Sequence, residues 1–170
     1  VGDKVIIQPP VYHPFFTAVT DTQRTLVENP LRLEGNHYQM DLEHLAECAE
    51  AGAKILVLCS PHNPVGRVWR QSELEGLLEV ARRYGLTIIS DEIHADLIFP
   101  GQKHLAITTL ADDVSIITTV SPSKTFNILG LGFSAMVISF FLYTSDAADD
   151  GFGVCLFFGR SLKIYISLNL

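Results

Sequence analysis

The chain has 170 residues, 48% of them hydrophobic and 18% charged, with a formal net charge of −7. That is enough apolar material for one sizeable core, a domain or a large piece of one, and it excludes a disordered chain. The acidic balance argues against a general nucleic-acid or anionic-membrane binder, since both need basic surface, but it leaves room for a small anionic cofactor held by local amides. In chain order, Val5-Ile6-Ile7 reads as a buried strand that stops at Pro9-Pro10. Thr25 to Leu33 reads as an extended pair interrupted by Asn29-Pro30. Asp41 is placed to cap a helix running through Leu42, Leu45 and Ala46 to Ala51, with Gly52 as its stop.

Lys54 to Cys59 is a continuous apolar strand of the kind buried on both faces of a parallel sheet. A loop, Ser60-Pro61-His62-Asn63-Pro64-Val65-Gly66, follows it. Ser72 with Glu75 suggests a capping box for a helix reaching Tyr84, where Gly85 ends it. Leu74, Leu77, Leu78 and Ala81 give that helix one apolar face. Then come a strand over Leu86 to Ser90, the acidic turn Asp91-Glu92-Ile93-His94, a strand over Val114 to Val120, a loop carrying Lys124, and the apolar run Phe133 to Phe141. Strand and helix alternate, so the expected class is α/β: a mostly parallel sheet with flanking helices. The polar clusters follow the strands, at the carboxyl ends where such sheets bind ligands. No run is long enough to span a bilayer, since Phe133 to Leu142 is too short.

Cys48, Cys59 and Cys155 give neither a disulfide framework nor a metal spacing, which suits a reducing, cytoplasmic setting. Cys59 reads as a small buried hydrophobe. His13, His37, His44, His62 and His104 have no ligand spacing and are read as surface or loop residues. Asp91, Glu92, His94 and Asp96 alternate along an extended segment, so no metal site is expected from them. The start, Val1-Gly2-Asp3-Lys4, has neither an initiator methionine nor a signal-peptide pattern, and is expected to be cut from a longer chain. Residues 142–170 break the alternation. Their opening peptide, Leu142-Tyr143-Thr144-Ser145-Asp146-Ala147-Ala148-Asp149, resembles a translated sequencing adapter, so the expected division is a domain over 1–141 and a non-native tail over 142–170.

Four features carry chemistry: Tyr12, Asn63, Asp91 and Lys124, each after a strand or apolar segment. Their types match pyridoxal 5'-phosphate. Lysine is the side chain that supplies an amine for an imine. A buried carboxylate such as Asp91 keeps the ring nitrogen protonated, so that the ring works as an electron sink. Asn63, and with it His94, can donate to the ring's phenolate oxygen; Tyr12 suits the ring face. Ser121 and Ser123, flanking the lysine loop, offer hydroxyls to the phosphate.

Together these residues resemble fold type I pyridoxal-phosphate enzymes of the aminotransferase class I/II family. The phrases Pro10-Val11-Tyr12, Cys59 to Trp69, Asp91 to Asp96 and Ser123 to Leu131 are closest to its cystathionine β-lyase branch, the MalY/PatB-type C–S lyases. The resemblance implies the large domain of a PLP-dependent transferase fold, in part, over residues 1 to 139. It implies Lys124 as the imine-forming catalytic residue, Asp91 at the pyridinium nitrogen, Asn63 at the phenolate oxygen and Tyr12 over the ring. Many aminotransferases carry Tyr three residues after the aspartate; His94 stands there and favours the lyase branch. Gly132 stands where many relatives place a phosphate-binding arginine. Family members are more than twice as long, so the glycine-rich phosphate turn and the substrate-binding arginine are expected outside this chain, which by itself is expected to be inactive.

The implied activity is β-elimination on a small amino acid such as cystathionine, giving a thiol, pyruvate and ammonia, in a homodimeric parent. A class I/II aminotransferase is the alternative. A DExH-type nucleotide-binding protein is the reading from another class, on the strength of Asp91-Glu92-Ile93-His94, but no Gly-x-x-x-x-Gly-Lys-[Ser/Thr] loop precedes it.

Overall fold

The computed structural model describes residues 1–140, 151–158 and 162–169. Short apolar runs form the middle of its main sheet. The strands β1 (Lys4–Ile7), β2 (Thr25–Glu28), β5 (Ile55–Cys59), β6 (Thr87–Asp91) and β7 (Ile116–Val120) pair in parallel, in the order β7-β6-β5-β1-β2. The chain then turns back into β8 (Phe133–Phe140), antiparallel to β7. Two further antiparallel strands, β9 (Gly151–Phe158) and β10 (Leu162–Asn169), extend this edge. The expected α/β class with a mostly parallel sheet is present, and β9 and β10 are additions to it. The adapter-like peptide 142–149 lies outside the described residues.

Strand alternation sends successive side chains to opposite faces. Leu56 and Leu58 of β5, with Ile6 of β1, Ile88 of β6 and Ile116 of β7, meet α2 (Leu42–Glu50) and α3 (Gln71–Tyr84) through Leu45, Ala49, Leu74, Leu77, Leu78 and Ala81. Val5, Ile7 and Cys59 face the other way, onto Val11 and Val19, where α1 (Pro14–Asp21) covers part of the sheet. Leu77 is fully buried. Leu77→Ala is expected to cost about 2–5 kcal/mol, seen as a lower urea midpoint at unchanged slope.

Asp41 caps α2 as expected, accepting from the His44 backbone N–H at 3.1 Å. Helix α3 corrects the Ser72–Glu75 capping box. It begins at Gln71, and Glu73 is the residue that reaches back, accepting from the Arg70 N–H at 2.8 Å while pairing with the Arg67 guanidinium at 2.6 and 2.7 Å. Glu75 instead accepts from Gln71 on the helix surface. Gly85 ends α3 in the left-handed region, φ +67°, where a side chain is strained. Besides β9 and β10, two further features go beyond those expected from the sequence. One is α1; the other is the hairpin of β3 (Arg32–Glu34) with β4 (His37–Gln39), a separate two-stranded sheet.

Candidate active site

Tyr12 follows β1, Asn63 follows β5, Asp91 is the last residue of β6, and Lys124 follows β7. These four strands are neighbours and parallel, so their carboxyl ends share one edge. There, Tyr12, Cys59, Asn63, Asp91, Ile93, His94 and Lys124 line one cavity of about 70 Å³. It adjoins a cleft of about 720 Å³ that shares Asn63 and His94 in its wall. Five of the seven residues expected at the site thus come together.

Local bonding holds the segments that carry them. The Asp91 Oδ1 accepts from the Ile93 N–H at 3.2 Å. Burial pushes the Asp91 carboxyl above its usual range, the Ile93 N–H and the nearby His94 pull it back down, and the Glu92 charge adds to the rise. Asp91 has no ion-pair partner among the described residues, so it is a carboxylate short of a cation. Asn63 is held through its backbone N–H, which points at Cys59 Sγ at 3.4 Å. Its side-chain amide has no protein partner among the described residues. Lys124, exposed, sits in a turn closed by Phe126 N–H to the Pro122 carbonyl at 2.9 Å, with Asn127 left-handed at φ +52°. Thr125 Oγ1 donates to Asp96 Oδ2 at 2.9 Å, tying the lysine loop to the segment that carries Asp91 and His94. Tyr12 meets Phe15 edge-on at 5.7 Å.

Ser121 and Ser123 are not brought to the cavity wall. Their hydroxyl oxygens lie 2.8 Å apart, and Ser121 Oγ donates to the Phe133 carbonyl at 2.7 Å, which ties the lysine loop to β8. Sequence reasoning had no place for Ile93, which follows Asp91 into the wall. Cys59 also lines it, and burial lifts its thiol to about 11, so it stays neutral and serves as packing. Of the histidines read as surface or loop residues, His62 and His104 do lie in loops, the first buried and the second largely so, His44 lies in α2, and each of the three has a long-range partner. His44 Nδ1 lies 3.2 Å from Asn29 Nδ2. His62 is buried against Trp69, with Nε2 3.0 Å from the Pro10 carbonyl. His104 Nε2 lies 2.7 Å from Glu92 Oε2, and both side chains are largely buried.

The donor set fits a pyridine aldehyde: a free primary amine, a carboxylate lacking a cation, an unpartnered amide and an imidazole, all on one cavity. No arginine lines that cavity. Residues 1–141 match the family model described as aminotransferase class I and II. The chain belongs to the aminotransferase class I and II family. Among its curated members, cystathionine β-lyase PatB of Bacillus subtilis is 43% identical over 140 residues, covering 81% of this chain and 36% of the relative. Protein MalY of Escherichia coli is 38% identical over 132 residues, covering 76% of this chain and 33% of the relative. The fold agrees: cystalysin from Treponema denticola, a structure containing pyridoxal 5'-phosphate, superimposes with a TM-score of 0.75 at 41% identity, covering 79% of this chain and 35% of that one. The chain spans about a third of the length of the curated family members it matches.

Proposed function

We propose that this chain is the cofactor-binding part of a pyridoxal-phosphate-dependent C–S β-lyase that acts on a small amino-acid thioether of the cystathionine type. The observation that carries the reading is the single cavity on which Lys124, Asp91, Asn63, His94 and Tyr12 converge, in a chain whose family includes lyases of that kind. Lys124 would hold the cofactor covalently, with Asp91 at the ring nitrogen, Asn63 at the phenolate oxygen, His94 beside it and Tyr12 against the ring. When bound, the cofactor supplies an electron-poor ring that takes up negative charge from the substrate's α-carbon.

The chain's own groups do the rest. The Lys124 amine, once free, is the base that takes the α-proton onto Nζ. The Asp91 carboxylate, uncomfortable in its buried position, keeps a proton on the ring nitrogen by pairing with its charge. Asn63 donates its amide N–H to the phenolate oxygen. Tyr12 closes one side of the cavity against water. With the α-proton removed, the β-carbon–sulfur bond would break with its electron pair leaving on sulfur, the Lys124 ammonium would return its proton to that sulfur so that a thiol departs, and hydrolysis of what remains would give pyruvate and ammonia.

The test is direct. Pyridoxal phosphate added to the chain is expected to give a visible absorbance band that borohydride removes. The complete reading frame is then expected to release pyruvate from cystathionine without any added oxo-acid. Turnover that requires an oxo-acid acceptor would make it an aminotransferase, and ATP hydrolysis without cofactor uptake would sink both readings. On the same footing we place the parent in the cytoplasm as a homodimer, in keeping with free, buried Cys48 and Cys59. Residues 142–170 are proposed as foreign to the family, supported by a match that ends at residue 141; resequencing the locus tests this.

A further inference from the structure

The loop that presents Asn63 and the loop that presents Tyr12 come from different strands, and one side chain joins them. His62 is 1% exposed. Its Nε2 lies 3.0 Å from the carbonyl oxygen of Pro10, two residues before Tyr12. A carbonyl only accepts, so Nε2 carries the hydrogen and the ring donates across the two loops. The ring cannot swing away, because Trp69 meets it edge-on at 5.4 Å and 83°. Trp69 is itself pinned by its indole N–H to the Cys59 carbonyl at 2.9 Å, and the Arg67 guanidinium covers its ring at 4.9 Å. Arg67 is held in turn by both Glu73 oxygens. On the backbone side, the His62 N–H donates to the Arg67 carbonyl and its own carbonyl accepts from the Gly66 N–H, each at 2.8 Å. His62 is therefore held by its backbone, by Trp69 and by Pro10, and Nδ1, buried with no hydrogen-bond partner among the described residues, offers the ring no competing bond.

We infer that His62 is a positioning residue: its Nε2–H to Pro10 sets the spacing of Tyr12 and Asn63 across the cavity, and so the fit of the cofactor ring between them. The inference rests on the functional reading above for what the spacing serves, but not for the clamp itself. Burial also holds the imidazole below its usual pKa, so the neutral, donating form is the one present around neutral pH.

The test compares His62→Leu, which removes the donor, with His62→Gln, whose amide nitrogen can reach Pro10. Leu77→Ala, in the core on the α3 side of the sheet, serves as a control for lost stability. Two readouts are taken on each chain: amide hydrogen exchange over residues 8–16 and 59–67, and pyridoxal-phosphate affinity by absorbance titration. His62→Leu is expected to speed exchange in both segments and weaken cofactor binding about tenfold, the worth of one buried hydrogen bond. His62→Gln is expected to restore both to within about twofold, and Leu77→Ala to lower the melting temperature and speed exchange across the sheet at large, without singling out these two segments and with cofactor affinity within about twofold. The clamp is overturned if His62→Leu disturbs residues 59–67 alone, or if His62→Gln is as impaired as His62→Leu, or if Leu77→Ala reproduces the pattern. Should the unaltered chain take up no cofactor, the functional reading fails while the exchange data still decide the clamp.

Discussion

Lys124→Ala is expected to leave the fold intact and to abolish covalent retention of pyridoxal phosphate. The side chain is exposed and makes no hydrogen bond or ion pair among the described residues, so its loss should cost no more than about 0.5 kcal/mol of stability. The chemical loss is far larger. On the proposed reading the same amine would anchor the cofactor and serve as the base, and no other lysine lines the cavity. In the complete reading frame, turnover should fall by about a thousandfold or more. Borohydride reduction followed by peptide mass spectrometry should find the adduct on Lys124 in the unaltered protein and none in the variant. An adduct at another lysine, or undiminished turnover, would remove Lys124 from its assigned role.

Asp91→Asn should separate function from stability, with opposite signs. Removing the carboxylate takes away the charge that would hold a proton on the ring nitrogen, and turnover is expected to drop about a hundred- to a thousandfold. The cofactor-free protein should become more stable at neutral pH. Burial raises the Asp91 carboxyl in the folded state above its ordinary value of 3.8, so the folded protein holds that proton more tightly than the unfolded chain. The stability Asp91 contributes is then fully present below pH 3.8 and is lost as pH rises through the raised folded value. Asparagine mimics the protonated form at every pH. Its advantage should be largest near pH 7 and vanish as pH falls below 3.8, which urea unfolding at a series of pH values would show. An advantage independent of pH would mean that the Asp91 charge is not what destabilises the empty site.

Much of this was legible from local pattern. The run Lys54 to Cys59 reads as a strand buried on both sides, and the spacing of Leu74, Leu77, Leu78 and Ala81 reads as a helix face, because burial imprints a period on neighbouring positions. The helix α1 left no such imprint. It is short, and the hydroxyls of its Thr17 and Thr20 and of Thr22 at its end bond to carbonyls three or four residues back, a habit that ordinarily disfavours helices. The β3–β4 hairpin did carry a signal, Gly35-Asn36 between two extended segments, with Gly35 at φ +60°; Asn29-Pro30 drew the reading away from it. In the site, Lys124, Asp91, Asn63 and Tyr12 were readable as types suited to one cofactor, each at or after the end of a strand. His62 and His104 were not, since their partners are remote in sequence and no spacing rule links them. Ser121 and Ser123 were read by proximity to Lys124, and the turn that exposes the lysine spends their hydroxyls on itself and on Phe133.

The strand order β7-β6-β5-β1 also bears on how this protein acquires its ligand. No two of Tyr12, Asn63, Asp91 and Lys124 come from the same strand end, so the cavity does not exist until all four parallel strands are paired. Parallel pairing closes long loops and is slow compared with local helix formation. A chain emerging from the ribosome would have no cofactor site until β7 docks, the last of the four to be made. Cofactor capture would then mark chains in which all four strands are paired, adding about 2.7 kcal/mol to that state at a hundredfold excess over its dissociation constant and nothing to an unpaired intermediate.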